Sequence, residues 1–168
     1  MSDAYFEFQL EMRRAQARSG RGGQRLDDGF RCGHCRVYVS AEPILSGVNN
    51  RNHCPYCLWS RHLDLVTAGD RLCACKALMR PIGLTLKKMR PKYGLEKPGE
   101  LMLIHQCVEC GRPSLNRLAA DDDVERVLEI YAGWAELDAS TRNRLGYDGI
   151  RVLEAADEEI VFARLLGR

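Results

Sequence analysis

Apolar positions recur along this 168-residue chain with two different periods. In "PIGLTLKKM" they alternate with other residues, so Ile82, Leu84 and Leu86 are expected on one face of a strand, and "ELMLIH" supplies a second strand. The basic segment between them, "RPKYGLEKPG", carries Pro and Gly and reads as a loop. Further on the period lengthens. In "DDDVERVLEIYAGWAEL", Val124, Val127, Leu128 and Tyr131 fall at i, i+3, i+4 and i+7, which predicts a helix whose preceding aspartates suit the dipole and cap its start. A second helix is predicted from about Ile150 to Leu166, with Leu153, Ala156 and Ile160 on one face and Gly167 as its stop. These helices are expected to bury their apolar faces on the rest of the protein or on a partner.

Ahead of these elements the pattern is weak. Residues 1–28 hold "RRAQARSGRGGQRLDD", polar and rich in Arg and Gly, and read as an arm. "FEFQLEM" alternates like a strand while "EMRRAQAR" favours a helix, and pattern alone does not choose. Arg13, Arg14, Arg18, Arg21 and Arg25 suit either phosphate contacts or a solvated tail.

The opening "MSDAYFEFQLEMRR" breaks its hydrophobics with acids too early for a signal peptide or membrane span, so a cytoplasmic protein is expected. Charge is unevenly spread. Residues 1–120 hold 19 Lys+Arg against 11 Asp+Glu, or +8, and residues 121–168 hold 6 against 12, or −6. The front is basic and the tail acidic.

Eight cysteines change the picture further, because they arrive as four close pairs: Cys32 and Cys35, Cys54 and Cys57, Cys73 and Cys75, Cys107 and Cys110. In a reducing compartment such thiols stay free or become metal ligands. Zinc takes four ligands in a tetrahedron, prefers thiolate and imidazole, and two tight C-x-x-C loops close one site. The first two pairs, separated by eighteen residues, have that spacing. Cys54 reads as a helix N-cap with Pro55 at the first helical position, and "CLWSRHLDLV" continues with Leu58, His62 and Leu65 on one side, until Gly69. Turn, strands and a ligand-bearing helix amount to a treble clef.

A second site is expected from Cys73, Cys75, Cys107 and Cys110, with Gly111 allowing the positive φ of a metal-binding turn and the intervening strands forming a zinc ribbon. A crossed pairing, first pair with third and second with fourth, is the rival topology. Among His34, His53, His62 and His105, the last is the best substitute ligand: it lies two residues before Cys107 and can replace Cys73, since C-x-C chelates less commonly than C-x-x-C. The expected fold is a small α+β zinc-stabilised domain, treble-clef or zinc-ribbon-like with two metal sites over residues 29–123. A helical acidic extension follows over residues 124–168.

The sequence resembles the bacterial and archaeal RNHCP-domain family, through Arg51-Asn52-His53-Cys54-Pro55 and also "FRCGHC", "CLWSRHLD", "GDR", "IHQCVECG" and "NRLAADD", over roughly residues 29–123. The resemblance implies zinc binding and supplies no activity. It equates Cys75 with the family's cysteine before Met79, Pro81 and Ile82 and puts Cys73 where another small residue is usual, which points to His105 or His53 as the eighth ligand.

Two ions with four protein ligands each leave no position open for water, and neither H-x-E with P-C-x-x-C nor H-E-x-x-H occurs. Cys73 is the one spare thiol for nucleophilic chemistry. A non-catalytic protein is therefore expected. Arg51, Arg61, Lys87, Lys88, Arg90 and Lys92 flank the cysteines, with Tyr56, Trp59 and Tyr93 able to stack on bases, so a nucleic-acid module for RNA or the ribosome is the leading expectation. The alternative is a protein-interaction adaptor that docks a partner through the C-terminal helices.

Overall fold

The computed structural model describes residues 29–87 and 99–167. The Arg/Gly arm lies outside the described residues, as do Lys88, Arg90, Lys92 and Tyr93.

The predicted strands form the centre: β4 (Leu78–Leu86) pairs antiparallel with β5 (Leu101–Cys107), from Met79 opposite Cys107 to Leu86 opposite Leu101. Strand β6 (Pro113–Arg117) pairs with the other side of β5, and the two-residue β3 (Ser60–Arg61) pairs with the start of β4, giving the order β3-β4-β5-β6. A separate hairpin joins β1 (Gly29–Arg31) to β2 (Tyr38–Ser40), followed by the one-turn α1 (Pro43–Ser46).

Strand β5 is buried from Leu101 to His105, which requires cover on both faces of the sheet. The C-terminal third provides it. On one face Leu84, Leu101 and Leu103 cluster with Val127 and Tyr131 of α2 (Val124–Ala132), with Leu153, and with Val161 of α4 (Glu158–Leu166). On the other, Ile82 and Ile104 meet Leu145 of α3 (Ala139–Tyr147). Leu153 also donates its N–H to the carbonyl of Leu84 at 2.8 Å, satisfying part of the free edge of β4. Of the residues expected on apolar helix faces, Val127, Tyr131 and Leu153 are buried on the protein's own sheet, whereas Val124, Ala156 and Ile160 are exposed and the last helix turns Val161 inward instead.

Several expectations need correction. Ile82 does not share a face with Leu84 and Leu86, because a register shift between Pro81 and Gly83 turns it to the opposite cluster. No helix follows Cys54: residues 55–57 form a turn and Ser60–Arg61 a strand, so the ligand-bearing helix of a treble clef is absent here. The local N-cap pattern is overridden by a hydrogen-bonded turn that aims both sulfurs one way. The helix at Val124 is capped by Asp123, which accepts from the N–H of Arg126, but it passes into a 3₁₀ turn at Gly133. The last helix starts at Glu158 rather than near Ile150, since residues 150–154 run along the β4 edge, and it ends at Gly167 with φ +69°. Helix α3 was not predicted: "ASTRNRLGY" has no clear apolar stripe, and Asp138 caps it by accepting from Thr141.

Candidate metal centres

Three of the cysteine pairs are built as one repeated turn. In each, the first cysteine's carbonyl accepts from the residue four ahead (Arg36, Leu58, Gly111) and its N–H donates to the carbonyl five ahead (Val37, Trp59, Arg112), at 2.8–3.1 Å. The residue just after the second cysteine is left-handed every time: Arg36 at φ +67°, Leu58 at +58°, Gly111 at +68°. The expectation at Gly111 therefore holds, and two non-glycine residues accept the same strained conformation. Each turn sits at the tip of a small antiparallel pair, namely β1–β2, the bridge between His53 and Ser60, and β5–β6.

The first two turns face each other. Cys32, Cys35, Cys54 and Cys57 bring their four sulfurs within 4.8 Å of one another, with Cys32 to Cys57 at 3.5 Å and Cys35 to Cys54 at 3.6 Å. A disulfide would need about 2.05 Å. Four sulfurs about 2.3 Å from a central ion stand about 3.8 Å apart, which is close to what is seen. The crossed pairing does not form.

The third turn gathers Cys107 and Cys110 with Cys75 and His62, again within 4.8 Å. Cys75 and Cys107 sulfurs are 3.6 Å apart, and Cys110 Sγ lies 3.3 Å from His62 Nδ1. His62 thus occupies the place expected for Cys73. Cys73 is buried, 4 % exposed, outside both groups, its N–H donating to the Leu63 carbonyl. Once His62 is understood as following a turn and strand instead of riding on a helix, it falls at the edge of β3 beside Cys75. The segment between them is folded by Asp70, whose carboxylate accepts from Leu65, Val66, Thr67 and Leu72, and by Asp64, which accepts from Gly69 and Arg71. The signal for His62 lies in "CLWSRHLD", five residues after Cys57, where helix-like spacing of Leu58, His62 and Leu65 masks a turn and a strand.

Local chemistry suits metal ligation. Burial and the cationic Arg112 lower the pKa of His62, keeping the imidazole neutral, although Asp64 opposes this. For Cys35, burial works upward, but the Val37 amide and neighbouring thiols outweigh it and bring the group down to about 7. Cys107 is likewise lowered against burial by the amides of Cys110 and Glu109, whereas burial pushes Cys57 up. Each group of four could hold a metal ion.

Neither alternate histidine is a ligand in this arrangement. His105, fully buried, donates from Nε2 to the Leu58 carbonyl at 2.6 Å and accepts at Nδ1 from Asn116 at 2.9 Å, and burial with the nearby His53 lowers its pKa to about 3. It ties the central strand to the left-handed corner of the second turn. His53 Nε2 is held by both oxygens of Asp122 at 2.9 and 3.0 Å. His34 stacks on Trp59, ring centroids 4.2 Å apart and 4° from parallel.

The basic residues expected to touch nucleic acid separate into different roles. Arg51 is a correction. Its side chain is 1 % exposed, paired with Asp121 at 2.7 Å and Asp122 at 3.3 Å, and donates to the His53 carbonyl, so a phosphate cannot reach it. Arg61 is exposed on a hollow of about 510 Å³ that it shares with Phe30, Arg31, Trp59, Leu63 and Arg71. Lys87 is exposed on a second hollow of about 490 Å³. Tyr56 is exposed, and no helix among the described residues is long and apolar enough to cross a membrane.

No curated protein and no solved structure matches the chain. Residues 27–128 match the family model of the RNHCP domain. That span contains all three turns, both four-ligand groups and the Arg51–His53–Asp122 network, and it makes the chain a member of the RNHCP-domain family.

Proposed function

We propose that this chain is a non-catalytic protein in which two structural zinc ions hold a platform for single-stranded nucleic acid, RNA in particular. For the zinc, the support is the donor chemistry: one all-thiolate group and one with three thiolates and an imidazole, at tetrahedral spacing, with four protein ligands each and hence no position for a substrate. Structural zinc contributes about 10–16 kcal/mol in small finger peptides, comparable to the whole stability of a domain.

One observation carries the nucleic-acid reading. The hollow between the first turn and β3 is lined by the apolar Phe30, Trp59 and Leu63 and by exposed Arg31, Arg61 and Arg71, and no acidic residue among those described lines it. Apolar rings offer bases a stacking surface, and guanidinium groups at the rim bind phosphates. The adaptor reading has less support, because Val127, Tyr131, Leu153 and Val161 of the C-terminal segment are buried against the sheet.

Fluorescence anisotropy with a labelled mixed-sequence RNA 20-mer at about 50 and 200 mM salt tests this reading. Affinity should fall steeply with salt, and replacing Arg31, Arg61 and Arg71 by alanine should lower the log–log slope by about 2. Absence of binding by zinc-replete protein at the lower salt would overturn it.

A further inference from the structure

Resting on the nucleic-acid reading, we infer that the bound strand does not end in the arginine-lined hollow but passes over Asn52 into the second one, and that Asn52 contacts a base there. The two hollows share Arg51 and Asn52 in their walls. The guanidinium of Arg51 is engaged by Asp121 and Asp122, which makes it a fixed part of the partition. Asn52 differs. It is 7 % exposed, yet its Oδ1 is the one buried side-chain oxygen or nitrogen among the described residues without a hydrogen-bond partner.

Leaving a buried acceptor unpaired is costly, so the position is suited to an incoming donor. A phosphate diester offers only acceptors and is the wrong partner for a carbonyl oxygen. A base N–H is the right one: exocyclic amines and ring imino groups both donate. Beyond Asn52, the second hollow has the composition that further nucleotides need. Exposed Lys87, Arg112 and Arg117 supply cations, Arg117 with Glu100 3.2 Å from its Nε, and Asn49 and Asn50 supply amides. Its single acid, Asp64, has its oxygens turned to the amides of Gly69 and Arg71 at 2.8 and 3.1 Å. Phosphates would lie at either end and a base at the junction.

The test compares wild type with Lys87→Ala/Arg117→Ala and with Asn52→Leu, on the full chain and with zinc content and urea midpoint checked. The probe is the same RNA 20-mer. The double variant should lower the salt slope by about 1.4, and Asn52→Leu should weaken binding about fivefold to tenfold with little change in slope. Both predicted variants lie outside the metal groups and should keep two zinc ions. If wild type binds and the Arg31/Arg61/Arg71 variant weakens it while these two variants bind as wild type, the extended path is wrong and the nucleic-acid reading stands. If wild type does not bind at all, both fall. Should Asn52→Leu unfold the protein, ultraviolet crosslinking of wild type decides: adducts in both residues 48–53 and residues 59–63 support the path, and adducts confined to the latter overturn it.

Discussion

His53 Nε2 stands 2.9 Å from a carboxylate oxygen of Asp122, a residue 69 positions later in the sequence. The same carboxylate receives Arg51 at 3.3 Å and the Ala119 amide at 2.7 Å, so it is the buried anchor for two residues of "RNHCP". Asp123 adds a backbone bond to the Pro55 carbonyl at 3.0 Å. The signature and "NRLAADD" are thus two halves of one structural joint between the second turn and the start of α2.

Breaking that joint takes away one of the two carboxylates on the buried Arg51, leaving Asp121, and strips His53 Nε2 and the Ala119 amide of their acceptor. Asp122→Ala should destabilise the protein by about 3 kcal/mol in urea unfolding, at roughly 1–3 kcal/mol per orphaned buried donor. Asp123→Ala, which removes a helix cap, should cost only about 1 kcal/mol. Equal losses would show that Asp122 is no anchor.

Metal stoichiometry separates His62 from the other candidates. Wild type should carry two zinc ions by elemental analysis, His62→Ala should weaken or lose one, and Cys73→Ser should keep both. His105→Ala should also keep both while losing stability, because it orphans the Leu58 carbonyl. Retention of two tightly held ions by His62→Ala together with loss of one in Cys73→Ser would restore Cys73 as the ligand.

How much of this was legible in the sequence follows from what each signal depends on. The cysteine spacings and the apolar runs of β4 and β5 are local, and they marked the four cysteines of the first group, three of the four residues of the second and the two central strands. What failed depended on distant partners. Arg51 looked like a surface cation because its counter-ions lie seventy residues away. Leu58 looked like one face of a helix, yet it is a left-handed corner whose side chain completes the core. Strand β6 and helix α3 carry weak patterns because each is only partly buried.

The left-handed corners predict opposite outcomes for one substitution. Arg36 is exposed at φ +67°, so Arg36→Gly relieves strain and should stabilise the protein by up to about 1 kcal/mol. Leu58 has nearly the same φ but is wholly buried, so Leu58→Gly should cost about 3 kcal/mol or more. Thermal or urea unfolding of the zinc-loaded variants checks the signs.

His105 should be neutral and fixed in its Nε2–H form through the neutral pH range, visible by nitrogen-correlated NMR as an imidazole that does not titrate between about pH 5.5 and 8. Its folded pKa, about 3, lies below the unfolded value of about 6.5. The unfolded state therefore binds the extra proton, and this contribution to stability is complete above pH 6.5 and is lost as pH falls toward 3. An ordinary titration near pH 6.5 would mean that the ring is not shut away from water, since burial is the main cause of the lowering and the Leu58 bond works against it.

The family match ends at residue 128, but the core does not. Tyr131, Leu153 and Val161 lie beyond it, are at most 8 % exposed, and share one cluster with Leu84, Leu101 and Leu103 of the sheet. Removing residues 129–168 would uncover that sheet face and free the β4 edge that Leu153 now occupies. Each lost large apolar contact costs about 1.5–3 kcal/mol, more in total than most domains can spare. A chain ending at residue 128 should therefore aggregate or unfold even with zinc present, whereas a soluble, zinc-loaded fragment with the urea midpoint of the full chain would show that the metal groups suffice without the C-terminal cover.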